Sequence, residues 1–145
     1  MARLDLTGYD ELLDAFARIG EFPDSVLDSA LTAMETIAAD EIRSSGERYG
    51  IRDPQSNVHV LDKVKINNPK RTETGGYADV TFSGTRTRGN TETRNAEIAF
   101  INEYGKRSQQ ARPFVGEAME KNADKIAQAG EKIITEWMEN EFEKQ

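Results

Sequence analysis

The hydrophobic period of the chain changes twice. From Tyr9 to Ile42 apolar residues recur every three or four positions, in the middle they alternate with polar ones, and after Phe114 the helical spacing returns. A segment patterned for one period cannot bury its apolar face in the other. The 145 residues must therefore combine helices with a sheet.

Thr7-Gly8-Tyr9-Asp10 supplies a cap and an acidic first turn. Tyr9, Leu12, Leu13, Phe16 and Ile19 then give a short amphipathic helix that stops at Gly20. Phe22-Pro23-Asp24 opens a second helix whose stripe is Leu27, Ala30, Leu31, Met34, Ile37, Ala38 and Ile42. The stripe fades at Ser44-Ser45-Gly46, so residues 44–57 read as a polar loop with a turn at Asp53-Pro54. Val58, Val60, Val64 and Ile66 share parity and predict a strand, bulged at Leu61-Asp62-Lys63 and ended by Asn67-Asn68-Pro69. Beyond the Gly75-Gly76 turn, Ala78, Val80 and Phe82 predict a half-buried strand. Residues 83–95 form either a β-arm with its tip at Arg88-Gly89-Asn90 or a flexible loop. Ala96, Ile98 and Phe100, with Ala99 and Ile101 on the reverse face, read as a strand covered on both sides. Pro113 then begins a long helix, reaching to about Phe142, striped by Val115, Ala118, Met119, Ile126, Ala129, Ile133, Trp137 and Met138. Asn122 and Gly130 weaken that stripe, and the acidic last turns predict fraying after Trp137.

This order is an α+β layout: one domain over residues 1–145, with a small antiparallel sheet of three to four strands packed against two N-terminal helices and a long C-terminal helix. With no cysteine, disulfides and thiolate zinc sites are excluded. No apolar run reaches the roughly 20 residues of a membrane span, and Asp5 and Asp10 interrupt any leader early. A soluble, unprocessed protein is expected.

The net charge of −7 argues against generic nucleic-acid binding. Its distribution says more. Residues 63–112 hold ten basic and five acidic side chains, a surplus of +5 that leaves −12 on the flanks. Either helix surfaces are acidic and loops collect arginine by chance, or complementary faces let copies stack. The exposed edges of a small sheet also need pairing or protection.

Chemistry finds little support. His59, the single histidine, has no partner at metal-ligand or triad spacing. The pairs Asp40-Glu41 and Glu139/Glu141 sit among ordinary helix-surface charges, and the glycines at 75, 76, 84 and 89 form no phosphate loop. No catalytic, cofactor-binding or metal residue is assigned.

Two short stretches are distinctive: Glu103-Tyr104-Gly105 after an apolar segment, then a basic loop and Arg112-Pro113-Phe114 at a helix start. Together with Gly8-Tyr9-Asp10-Glu11-Leu12 near the N-terminus, they resemble the tail-completion, or head–tail joining, proteins of long-tailed bacteriophages. The chain departs from that family in two places. Asp53-Pro54-Gln55-Ser56-Asn57-Val58 stands where a Pro…Thr-Gly-x-Leu segment is usual, and Lys106 replaces a Thr or Ser. The resemblance implies a non-enzymatic virion protein made in the host cytoplasm, joined into a ring with its own copies and with other neck and tail proteins. It implies no membrane, no small-molecule substrate and no specific nucleic acid. The interface residues expected are Arg86, Arg88 and Arg94 on the arm, with Lys106 and Arg107 on the second loop. Arg112 is expected to bridge Glu103 while Phe114 packs beneath the sheet. The alternatives are another neck or tail ring protein, such as a tail terminator, and a small enzyme or nucleic-acid-binding regulator.

Overall fold

Strand β4 (Gly75–Phe82) is the axis of the sheet, with Gly76, Ala78 and Val80 turned inward and Tyr77, Asp79 and Thr81 turned outward. The computed structural model describes residues 2–6, 23–52 and 59–144. The helix expected over Tyr9–Ile19 and the Asp53-Pro54 turn lie outside these residues. Strand β1 (Ala2–Leu6) runs antiparallel along one side of β4, from Ala2 opposite Val80 to Leu6 opposite Gly76. The other side is shared by β2 (Val64–Ile66) and β3 (Lys70–Thr72). Asn67 bridges the offset between them: its backbone N–H and its side-chain amide both donate to the Asp79 carbonyl, at 3.2 and 3.0 Å.

One face of this sheet is polar, with the Arg3 guanidinium 4.2 Å above the Tyr77 ring and 3.2 Å from Asp79. The other face is covered by α1 (Asp24–Arg48), through Leu27 and Leu31. Helix α4 (Ala123–Glu143) lies antiparallel along α1, with Lys125 bonded to Glu41 at 2.7 Å. Gly130 is what permits the close approach, since a Cβ there would lie 2.7 Å from Met34 Sδ. The glycine that weakens the α4 stripe is thus the crossing point of two helices. Between sheet and C-terminal helix stand a hairpin, β5 (Thr85–Arg88) and β6 (Thr91–Arg94), then α2 (Asn95–Tyr104) and α3 (Phe114–Lys121). The fold is mixed helix and antiparallel sheet, and residues 85–94 form the arm rather than the loop.

Four expectations are corrected. Residues 96–101 are not a strand; they lie in helix α2, whose buried positions are Asn95, Ala99 and Asn102. Helix α1 continues through Ser44-Ser45-Gly46 to Arg48, because Ser45 and Gly46 are buried and the missing side chain of Gly46 admits Leu61. The bulge at Leu61 is a 3-10 turn over Val60–Lys63, which shortens β2 to three residues. The C-terminal helix is broken at Asn122, whose side-chain amide donates to the Ala118 carbonyl at 2.9 Å, while its second part, α4, ends at Glu143, beside the expected end at Phe142.

Position 46 makes a clear test. A Cβ at Gly46 would lie 2.3 Å from Leu61 Cδ2, and Leu61 is itself buried. Helix propensity alone favours Gly46→Ala by ~1 kcal/mol. Overpacking outweighs it, giving an expected net loss of about 1–2 kcal/mol in chemical denaturation. A stabilised variant would show that Leu61 does not fill that space.

Candidate functional site

The two distinctive stretches of the sequence meet in one junction. Helix α2 ends at Gly105, which has φ +76° and donates its N–H to the Ile101 carbonyl at 2.7 Å. A side chain would not fit there, since a Cβ would lie 2.8 Å from both Gln109 O and Ala111 N. The turn that follows is closed by reciprocal backbone bonds between Lys106 and Gln109, at 2.9 and 3.0 Å. The chain then returns so that the Arg112 N–H donates to the Asn102 carbonyl at 2.6 Å.

Glu103 and Arg112 do not bridge each other. The Glu103 carboxylate accepts the N–H groups of Val115 and Gly116, both at 2.8 Å. It therefore caps α3 from a distance, placing negative charge on the donors that a helix start leaves unpaired. The Arg112 guanidinium instead donates to Asn102 Oδ1 and to the Tyr49 carbonyl. Asn102 Oδ1 also accepts from the Gln109 amide at 3.1 Å, and its own amide donates to Ile98 O at 2.9 Å. Tyr49 closes the circuit, its hydroxyl donating to Glu117. The Lys121 ammonium, then the Tyr49 hydroxyl, hold Glu117 below the ordinary carboxylate range. Phe114 is fully buried against Phe82, ring centroids 5.9 Å apart and edge-on. Tyr104 points out; it is 65 % exposed and packs at a tilt on Phe100, 60 % exposed, with ring centroids 4.7 Å apart. Glu103→Ala is expected to cost about 1–2 kcal/mol through loss of the α3 cap. Glu103→Gln should keep part of that, and equal losses for the two variants would refute the charged cap.

Helix α2 has a cleft on either side. The first, of ≈ 470 Å³, is lined by Arg52, Arg86, Lys106 and Arg112 together with the amides of Asn102 and Gln109. Among the described residues no carboxylate lines it. The second is an apolar groove of ≈ 680 Å³ beside Phe82, Phe100, Tyr104, Val115 and Met119, with Arg94 at its edge. The five arginines and lysines expected at an interface are therefore divided. Arg86 and Lys106 share the basic cleft, Arg94 flanks the groove, and Arg107 is exposed on the turn. Arg88 stands opposite Thr91 in the hairpin. Sequence reading missed Arg52 and Asn102, whose places depend on the chain returning to the end of α1. It also missed Phe100, taken as the core face of a strand.

Two of the carboxylates weighed for chemistry are held in ion pairs. Asp40 pairs with Arg43 at 2.9 Å and Glu41 with Lys125. His59 precedes the 3-10 turn, half-buried. Among the described residues no three His, Cys, Asp or Glu converge as metal ligands, and no helix is long and apolar enough to cross a membrane. Comparison of the chain with protein-family models, curated proteins and solved structures returned no match.

Proposed function

We propose that the chain is a non-catalytic structural subunit that joins tail to head at the neck of a long-tailed bacteriophage. It would assemble in the host cytoplasm, bind other neck and tail proteins, and remain in the virion. The observation that carries this reading is the coupling of Glu103-Tyr104-Gly105 to Arg112-Pro113-Phe114. The two steps through which the chain resembles that family share one junction, with Glu103 on the α3 amides and Phe114 in the core. That junction fixes α2 so that Tyr104 and Phe100 face outward over an apolar groove, the kind of patch that marks a protein contact. A joining subunit needs a rigid frame and contact surfaces, and the junction and the groove beside it support that reading.

The test uses tail tubes made without this protein in the phage or prophage that encodes it. Purified chain should bind the tube ends and restore joining to heads, scored by electron microscopy. A tail terminator would instead limit tube length during growth and leave joining unrestored. Protein that neither binds tubes nor restores joining sinks the proposal. The variant Tyr104→Ser with Arg94→Glu should fold as the wild type does, since both positions are exposed, yet fail in the joining assay.

A further inference from the structure

A basic cleft and the acidic end of α4 lie toward opposite ends of α1, and a single chain cannot bring them together. Beyond the C-terminal end of α1 lies the basic cleft. Of its four cations, Arg52 is neutralised by Glu47 at 2.7 Å and faces Asp62 at 3.5 Å. Arg112 is held by the Asn102 side chain and the Tyr49 carbonyl, which are neutral acceptors, so these bonds orient its positive charge without cancelling it. Lys106 is exposed at the rim, and Ile98 and Ile101 give the cleft apolar wall.

Helix α4 supplies the opposite sign. Its last turns carry Glu136, Glu139, Glu141 and Glu143, with no basic residue in the final turn. Carboxylates at a helix C-terminus are repelled by the unpaired carbonyls there. Among the described residues compensation is thin: Lys144 reaches Glu141 at 3.1 Å and Lys132 reaches Glu136 only at 4.0 Å. Glu139 and Glu143 are exposed. An acidic helix end of this kind gains most from cations supplied from outside the helix.

Geometry decides where those cations come from. Because α4 is antiparallel to α1, with Lys125 beside Glu41 and Gly130 beside Met34, its end lies toward the start of α1. The cleft begins at Gly50, past the other end. At about 1.5 Å per residue, the 25 residues of α1 hold the two sites roughly 37 Å apart.

We propose that the basic cleft receives the acidic C-terminal turn of α4 from a second copy of the chain. Glu139 and its neighbours meet Lys106 and Arg112 of the next copy. Each copy then uses one patch to give and another to receive, a head-to-tail contact that repeats and closes into a ring when the rotation per subunit allows. The proposal specifies the contact between copies in the ring suggested above and rests on that reading only for ring closure. The contact itself needs no phage component.

The absence of cysteine makes the contact trappable. Full-length Lys106→Cys and full-length Glu139→Cys chains are mixed under mild oxidation and the mixed disulfide is measured on a non-reducing gel. The control pair is Lys106→Cys with Thr87→Cys, a position exposed on the hairpin. Trapping of the Glu139 pair should exceed the control by about ten-fold, the effect of one well-placed charge contact, and should fall toward it in about 0.5 M salt. Adding Glu141→Lys and Glu143→Lys to the Glu139→Cys chain should bring the yield down to the control. Equal yields for the two pairs, or a yield indifferent to those reversals, overturn the proposal. Trapping that succeeds while tail joining fails leaves the contact standing and removes the phage reading. The reverse outcome removes only the contact.

Discussion

Phe114→Ala is expected to lower the unfolding free energy by about 3–5 kcal/mol. Phe114 is the largest of the fully buried side chains, at 0 % exposure, and it lies edge-on to Phe82 of the central strand. It is also the first residue of α3, directly before the two amides that Glu103 caps. Truncation therefore opens a cavity where sheet, α2 and α3 meet, and the surroundings cannot collapse into it without moving a capped helix start. Small domains have only about 5–15 kcal/mol of stability in total, so this one change removes a large share. Phe100→Ala is the matched control, being 60 % exposed, and should stay within about 0.5 kcal/mol of the wild type. Urea titration of both variants, with the slope as well as the midpoint compared, separates lost stability from a changed denatured state. A Phe114→Ala loss no greater than that of Phe100→Ala would mean that Phe114 is not an anchor of the fold.

These two phenylalanines show what was legible in the sequence. Phe114 follows Arg-Pro at the return of helical spacing, and its burial could be expected from that alone. Phe100 could not be placed, because Ala96 to Ile101 carries apolar residues on both parities, and a short run of that kind fits a buried strand as well as a helix. The positions that settle the matter are Asn95, Ala99 and Asn102, spaced as a helix face and all buried. Two of the three are polar. Hydrophobic periodicity cannot see a helix whose inner face is held by amides, here Asn95 to the Ser83 carbonyl at 2.8 Å and Asn102 to Ile98.

The end of α1 was hidden for a related reason. Ser44-Ser45-Gly46 has the composition of a loop, yet Gly46 is required by Leu61, which arrives from another element. The basic cleft was half legible. Arg86 and Lys106 stand out as cations in a basic stretch, but their convergence with Arg52 and Arg112 depends on the hairpin and on the Gly105 turn. Spacing gives no measure of such long-range closure. The direct Arg112–Glu103 bridge was a reasonable pairing of opposite charges, and it fails because backbone N–H groups at the α3 start lie closer to Glu103 than any guanidinium does.

Glu35 went unnoticed as one more acidic residue on an amphipathic helix, yet it should set the pH dependence of stability. It lies on α1 one turn beyond Leu31, on the stripe that covers the sheet, and is 1 % exposed with Oε1 unpartnered. Burial, and then the charge of Asp79, raise its pKa from 4.5 to about 7. Between those values the folded protein holds a proton that the unfolded chain has released. Stability contributed by Glu35 is therefore complete below pH 4.5, falls as pH rises, and is gone above about pH 7. A shift of this size corresponds to roughly 3 kcal/mol. Glu35→Gln removes the titration while keeping the shape, so the variant should gain on the wild type as pH rises. The difference in unfolding free energy, measured in urea at pH 5 and again at pH 8, should move by about 2–3 kcal/mol in favour of Gln. Comparing the two proteins at each pH cancels the titration of the other carboxylates, whose exposed ion pairs contribute little. Parallel pH profiles would mean that Glu35 is solvated in the folded state, and a slope of opposite sign would mean that a cation reaches it.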